Sequence, residues 1–397
     1  MNGLRKKTNA VIAAVFIAVT ALAFVRIAPA RLFELIRTIE AGQLTKEYTS
    51  ALESDVNASF PKKNAFIDLN GLFHRVLLQR EMNGVVLLKN GIESECMSDR
   101  DDEGIRANAE SVKELSDWLG ERGIDFLYCQ IPMKNDDEND LLPQGLTDFS
   151  NRVADVFVRF LDEFGVNYLD LRDCIREDGI ERSSLYLRTD HHWSPAGGFY
   201  AFQKICDELR TSFGEDIPEY VTDIANYEQV TYKNSSLGYF GQRTGWMFAG
   251  FDDFTLIYPS WETRQSSWAP HKELLREGSF YDAIFYTDYL DAYWRERRLY
   301  GTYIGGDWPV VVHCSETAPI DKTVMILIDS YGTLPEAFLT TAYRNVVALD
   351  LRWIRLTGME KTAVEFVEEY SPDIVIIAFN PNQIGSAESE QFQYGVP

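Results

Sequence analysis

The chain has 397 residues, 38 Lys and Arg against 61 Asp and Glu, and a formal net charge of −23. With 45% hydrophobic and 25% charged residues it has ordinary globular usage, which excludes a disordered chain, a collagen-like chain and a polytopic membrane protein. The acidic balance, with no Lys/Arg-rich block beyond the first seven residues, argues against a nucleic-acid partner, because binding phosphates needs concentrated basic side chains.

The N-terminus reads Arg5-Lys6-Lys7 and then an apolar run from Ala10 to Val25. As a helix this run spans about 24 Å, short of a hydrocarbon core of about 30 Å. Thr8, Asn9 and the snorkelling stems of Lys7 and Arg26 extend it to a single membrane-anchor helix within residues 1–31. Ala28-Pro29-Ala30 resembles a signal-peptide cleavage site, so secretion after cleavage is the alternative. Either reading puts the remainder outside the cytoplasm. Residues 32–65 read as a helical stalk, with a folded domain over 66–397.

Chain order then alternates strands and helices. Val85–Leu88 and Phe126–Ile131 are apolar strands. Val112, Leu115 and Leu119 form a helical stripe, as do Val153, Val156, Phe157, Phe160, Leu161 and Phe164. Val166–Leu169 is the next strand, and Phe199, Phe202, Cys206 and Leu209 mark the next helix. Val324–Ile328, Val346–Leu349 and Ile374–Phe379 are strands, with a helix over Val364–Tyr370. This order predicts an α/β layer with a mostly parallel sheet. Residues 213–318 interrupt it. Tyr220 to Trp308 holds 22 aromatic residues in 89, with no clean period, and reads as a loop-rich insertion whose rings mostly pack and partly line a sugar-binding groove. The five cysteines are Cys96, Cys129, Cys174, Cys206 and Cys314, with no CxxC, so a zinc site or dense disulfide framework is not expected. One disulfide is possible outside the cell. Cys129, Cys174 and Cys206 fall in apolar-periodic segments and read as core.

The most specific segment is Thr189-Asp190-His191-His192-Trp193-Ser194-Pro195. Ser194 and Pro195 predict a helix start. Asp190 and His192 lie two apart, so in an extended segment they share a side and the carboxylate orients the imidazole, while His191 points away. The other histidines show no metal-ligand spacing, so no metal is expected. Ser330 follows the strand Val324–Ile328, and Thr333-x-x-Glu336 reads as a capping box opening a helix. A serine at a strand-to-helix turn stands at the carboxyl edge of a parallel sheet, where backbone N–H groups can hold an oxyanion. Serine needs a base, and the base needs an orienting carboxylate. Gly305-Gly306 offers close backbone approach or an N–H, and Asn380, ending a strand, offers an amide. Asp350-Leu351-Arg352 reads as a salt bridge or as part of the pocket rim.

The segment Asp190-His191-His192-Trp193, followed by Ser-Pro-Ala-Gly, resembles the signature of the DHHW proteins, relatives of the alginate O-acetyltransferases and more distantly of SGNH (GDSL-type) hydrolases. The resemblance continues through Tyr303–Gly306, Asp329-Ser330-Tyr331 and Asp350–Arg352 to Asn380. It implies a three-layer SGNH hydrolase-like fold with circularly permuted motif order, since here Asp-x-His precedes the serine. It also implies Ser330 as nucleophile, His192 as general base and Asp190 as its orienter. Gly306 and Asn380 become oxyanion-hole candidates, with Asn382 as a substitute. Gly305, His191, Tyr331 and Arg352 are further substrate-binding candidates. Ile328 departs from the glycine many SGNH enzymes carry before Asp-Ser. The implied activity is O-acetyl transfer to a cell-surface or secreted polysaccharide without a cofactor, supplied by a membrane-bound O-acyltransferase. A carbohydrate acetylesterase with the same triad, or a non-catalytic polysaccharide-binding component of an export complex, are the alternatives.

Overall fold

The computed structural model describes residues 37–38, 45–46, 48–51, 54, 62–137, 140–269, 273–295, 297–386 and 389–397. The expected anchor over 1–31 lies outside the described residues, as does most of the expected stalk. Among the described residues no helix is long and apolar enough to cross a membrane. The chain divides into two compact units, residues 1–70 and 71–397. The described part of the first is largely helical.

The second unit contains three sheets among its described residues. Strands β1 (Glu81–Met82), β2 (Val85–Leu87) and β3 (Glu93–Ser94) form a small antiparallel sheet, and β6 (Tyr227–Ser236) pairs with β7 (Asp252–Pro259) as a two-stranded ribbon. The main sheet has eight strands. They are β4 (Asp125–Gln130), β5 (Tyr168–Asp170), β8 (Gln265–Ala269), β9 (Glu273–Gly278), β10 (Val310–Ser315), β11 (Ile320–Ile328), β12 (Tyr343–Leu349) and β13 (Ile374–Phe379), in spatial order β5-β4-β13-β11-β12-β10-β8-β9.

The strands from β5 to β12 run parallel. They are continuous apolar runs because helices cover both faces. Leu127, Cys129, Ile326 and Ile376 pack with the helices Pro195–Phe213 and Thr333–Leu339. Phe126, Tyr128, Met325, Leu327 and Ile377 pack on the other face with the helices Asp102–Gly120, Ser150–Glu163 and Ala363–Tyr370. This is a three-layer α/β arrangement. Ser194 caps the helix Pro195–Phe213, accepting from the Gly197 N–H, with Pro195 in its first turn, as the sequence predicts.

The sheet is mixed rather than mostly parallel. β10, β8 and β9 extend it antiparallel from the β12 edge, and all three come from the region read as a loop-rich insertion. The strand signal of the ribbon is weak because most of β6 is wet on both faces. Six of the ten residues of β6 are exposed, so no apolar alternation marks it. All five cysteines are free; Cys129 and Cys206 are buried and Cys174 is half-buried.

Parallel strands share a direction, so their carboxyl ends collect on one edge. Ser330 follows β11, Asn380 follows β13, Asp350 follows β12, and Lys134 follows β4.

Candidate active site

Ser330 sits in a turn held by its neighbour. The buried Asp329 accepts from the Tyr331 N–H through Oδ1 (2.9 Å) and from the Asn380 N–H through Oδ2 (2.8 Å), while its carbonyl accepts from the Gly332 N–H. Burial pushes the Asp329 carboxyl up to about 6, against the pull of the Arg352 charge and these N–H groups. Ile328 is accommodated by Gly332: a Cβ there would stand 2.3 Å from Ile328 Cγ2. The expected capping box does not form. The helix begins at Thr333 after Gly332, without a side-chain cap, because Glu336 is buried and bonded to His313 Nε2 at 2.9 Å.

His192 Nε2 lies 2.9 Å from Ser330 Oγ, and His192 Nδ1 lies 2.8 Å from Asp190 Oδ1. Burial alone would raise the Asp190 carboxyl. The facing His192, the nearby His191 and the Tyr239 N–H outweigh it and hold the group far below the usual carboxylate range. The segment is not extended as expected. Asp190 Oδ1 also accepts from the His192 backbone N–H (3.1 Å), which curls the chain into an Asx turn. His191 therefore does not point away. Its Nδ1 is 3.3 Å from Asp190 Oδ1, without hydrogen-bond alignment, and its ring centroid is 3.8 Å from that of His192. Burial, with the His192 charge, lowers the His191 imidazole to about 3. Asp190, His191 and His192 thus place one nitrogen or oxygen ligand atom each within 4.8 Å of one another.

Tyr331 joins the two motifs. Its hydroxyl donates to the His191 carbonyl (2.9 Å), and its own carbonyl accepts from Trp193 Nε1 (3.0 Å). Both rings are buried, so Tyr331 is a brace rather than a wall of the cavity. The cavity, about 670 Å³, is lined by Asp190, His191, His192, Gly305, Gly306 and Thr333, among others. Ser330 is half-buried and meets this wall through His192. Gly305 and Gly306 both have positive φ, 84° and 111°; a Cβ on Gly305 would strike the Tyr286 ring, whereas Gly306 faces open space. Asn380 and Arg352 are not on the lining. Asn380 uses its side-chain carbonyl on the Asn382 N–H, and Arg352 makes a bidentate pair with Asp350 through Nε and Nη2. Of the alternatives for Asp350 and Arg352, the salt bridge is the one formed.

Several residues here carry no motif. Tyr300 stacks on His192 and donates to the Ser330 carbonyl at 2.7 Å. Asp190 Oδ2 accepts from the Tyr239 N–H at 2.8 Å, with Gly238 packed on the carboxylate. Beneath the loop, the buried Lys134 ammonium donates to the carbonyls of Glu93 (2.6 Å), Leu187 (2.8 Å) and Asp190 (2.5 Å). Buried Asp252 accepts from the N–H groups of Arg188 and Thr189 and from the Thr189 hydroxyl. A buried cation thus holds the loop's carbonyls and a buried anion its amides. The only sequence signal for Lys134 was a lysine just beyond an apolar strand.

Residues 92–266 match the family model described as "SGNH hydrolase-like domain, acetyltransferase AlgX". The chain is similar to the probable alginate O-acetylase AlgJ of Pseudomonas aeruginosa, 24% identical over 206 residues, covering 49% of this chain and 51% of that protein. It therefore spans about half the length of this curated relative. Among solved structures, Bacillus cereus PatB1 with a sulfonyl adduct has a TM-score of 0.62 at 16% identity, over 78% of this chain and 99% of that one. A DHHW family protein from Eubacterium siraeum has a TM-score of 0.60 at 17% identity, over 79% of this chain and 95% of that one. Both likenesses are of fold.

Proposed function

We propose that the protein is a serine-dependent O-acetyltransferase that modifies hydroxyls of a cell-surface or secreted polysaccharide outside the cytoplasm. The single observation that carries this reading is the line Asp190–His192–Ser330, with contacts of 2.8 and 2.9 Å, at the wall of a cavity large enough for a sugar unit. The likeness to the acetyltransferase AlgX model and to a probable alginate O-acetylase supports the acetyl group and the polysaccharide.

In this mechanism Ser330 Oγ attacks the carbonyl of an acetyl ester as His192 Nε2 takes its proton. Asp190 stabilises the imidazolium. Collapse of the tetrahedral intermediate breaks the ester C–O bond; His192 returns the proton to the leaving alcohol, and acetyl-Ser330 remains. A sugar hydroxyl then attacks, gives its proton to His192 and leaves as the acetylated sugar, and the proton returns to Ser330. Gly306 is the candidate for backbone stabilisation of the oxyanion, since it alone of the two glycines faces open cavity. The order of base before nucleophile along the chain fits a permuted SGNH core. Residues 1–31 serve as the membrane anchor in this reading, placing the domain beside a membrane-bound acyl donor.

Incubation with an activated acetyl ester should leave a peptide containing Ser330 about 42 Da heavier, the mass of acetyl replacing hydrogen. An adduct elsewhere, or none, rejects the mechanism. Ester cleavage that accelerates when oligosaccharide is added marks a transferase, and cleavage indifferent to sugar marks an esterase.

A further inference from the structure

We propose that Asp190, His191 and His192 also form an inhibitory site for a transition-metal dication of the zinc type. Zinc holds nitrogen and oxygen ligands at about 2.0–2.2 Å in a tetrahedron, which sets neighbouring ligand atoms about 3.3 Å apart. His191 Nδ1 and His192 Nδ1 lie 3.3 and 2.8 Å from Asp190 Oδ1, and the three residues offer one ligand atom each within 4.8 Å of one another. The second observation is His191 Nδ1 itself: it is buried and has no hydrogen-bond partner among the described residues. A buried polar atom in that state is costly, and a cation on its lone pair removes the cost. All three residues line the cavity, so an ion has a route in and water can take the fourth position.

The effect on chemistry follows from one proton. To accept the Ser330 proton at Nε2, neutral His192 must carry its own hydrogen on Nδ1, facing Asp190. A dication on Nδ1 breaks that N–H bond. The proton passes through solvent to Nε2, where a new N–H bond forms, and the net proton count is unchanged. Nε2 then donates toward Ser330 Oγ and no longer accepts from it. The bound ion is a reversible off-switch and not a cofactor. This inhibition rests on the proposed role of His192, but binding of the ion does not.

The test uses the full chain and its Ser330→Ala variant, titrated with Co2+ as a spectroscopic probe and then with Zn2+. Both proteins should bind one Co2+ with the visible absorption of a four-coordinate site, displaced by Zn2+. His191→Gln, or His191→Asn if the first folds poorly, should weaken binding by at least about tenfold. In the unmodified chain Zn2+ should suppress cleavage of a chromogenic acetyl ester, a chelator should restore it, and the inhibitory concentration should rise in the His191 variant by the same factor as the affinity falls. No cobalt absorption, or equal affinity with and without His191, overturns the site. Stoichiometric binding that leaves ester cleavage untouched overturns the inhibition. An unmodified chain without ester-cleaving activity counts against the triad, while the cobalt titration still decides the site.

Discussion

The Tyr300 ring lies flat against the His192 imidazole, with centroids 3.9 Å and planes 10° apart, while its hydroxyl holds the Ser330 carbonyl. One side chain therefore positions both the His192 imidazole and the Ser330 turn. Tyr300→Phe keeps the stack and loses the hydrogen bond, and is expected to cost about 1 kcal/mol of stability and a few-fold in rate. Tyr300→Ala loses both and should lower kcat by a further order of magnitude or so. Steady-state kinetics on the two variants check this; equal rates would deny Tyr300 any part in orienting His192.

Ser330→Ala should lower acyl transfer by about 10³-fold or more without changing the melting temperature, because among the described residues its hydroxyl bonds only His192. Asp190→Asn should cost on the order of 10³–10⁴ by losing the anion that orients and charges the imidazole. Turnover and thermal melts measured side by side separate these effects from unfolding.

Gly238 packs on the Asp190 carboxylate. A Cβ there would stand 2.5 Å from Asp190 Cβ, 2.6 Å from the Thr189 carbonyl oxygen and 2.8 Å from Asp190 Oδ2. Gly238→Ala should push Asp190 off His192 and reduce kcat by about tenfold or more, with less effect on KM. A variant with native kcat would mean that the loop yields freely.

Lys134 is the cation under that loop, between the ring faces of Phe240 and Tyr186 at 5.4 and 5.8 Å. Lys134→Met leaves three carbonyls without their donor and should destabilise the domain by about 3 kcal/mol. Denaturant titration reads the loss. A change below about 0.5 kcal/mol would show that water replaces the ammonium.

Burial pushes the Glu93 carboxyl up to about 8 from its ordinary 4.5, against the Thr244 hydrogen bond and the Lys134 charge. Between those values the folded chain keeps a proton that the unfolded chain has lost. This contribution to stability is therefore complete below about 4.5 and is lost as pH rises through about 8. Asp329, raised from 3.8 to about 6, acts with the same sign over its own window. Glu93→Gln should flatten the fall in melting temperature between pH 5 and 8, relative to the unaltered chain; unchanged steepness would assign the proton elsewhere.

Short-range chemistry made much of this protein readable from its sequence. Continuous apolar runs set β4, β11, β12 and β13, and 3.6-residue stripes set the helices Asp102–Gly120 and Ser150–Glu163, because each buried face imposes its own period. Ser194 and Pro195 marked a helix start, and Asp190, His192 and Ser330 stood out because a hydroxyl nucleophile needs that set of partners. Only the tertiary structure decided the rest. Within residues 213–318 the exposed strand β6 shows no apolar period, and β10, β8 and β9 become part of the main sheet only by pairing in succession from the β12 edge. The turn of His191 toward Asp190 follows from a backbone hydrogen bond that residue spacing does not encode. Glu336 left its capping role for His313 because both are buried together. Tyr300, Gly238 and Lys134 reach the site from distant segments, and such meetings depend on how those segments pack together, a long-range outcome that no local pattern carries.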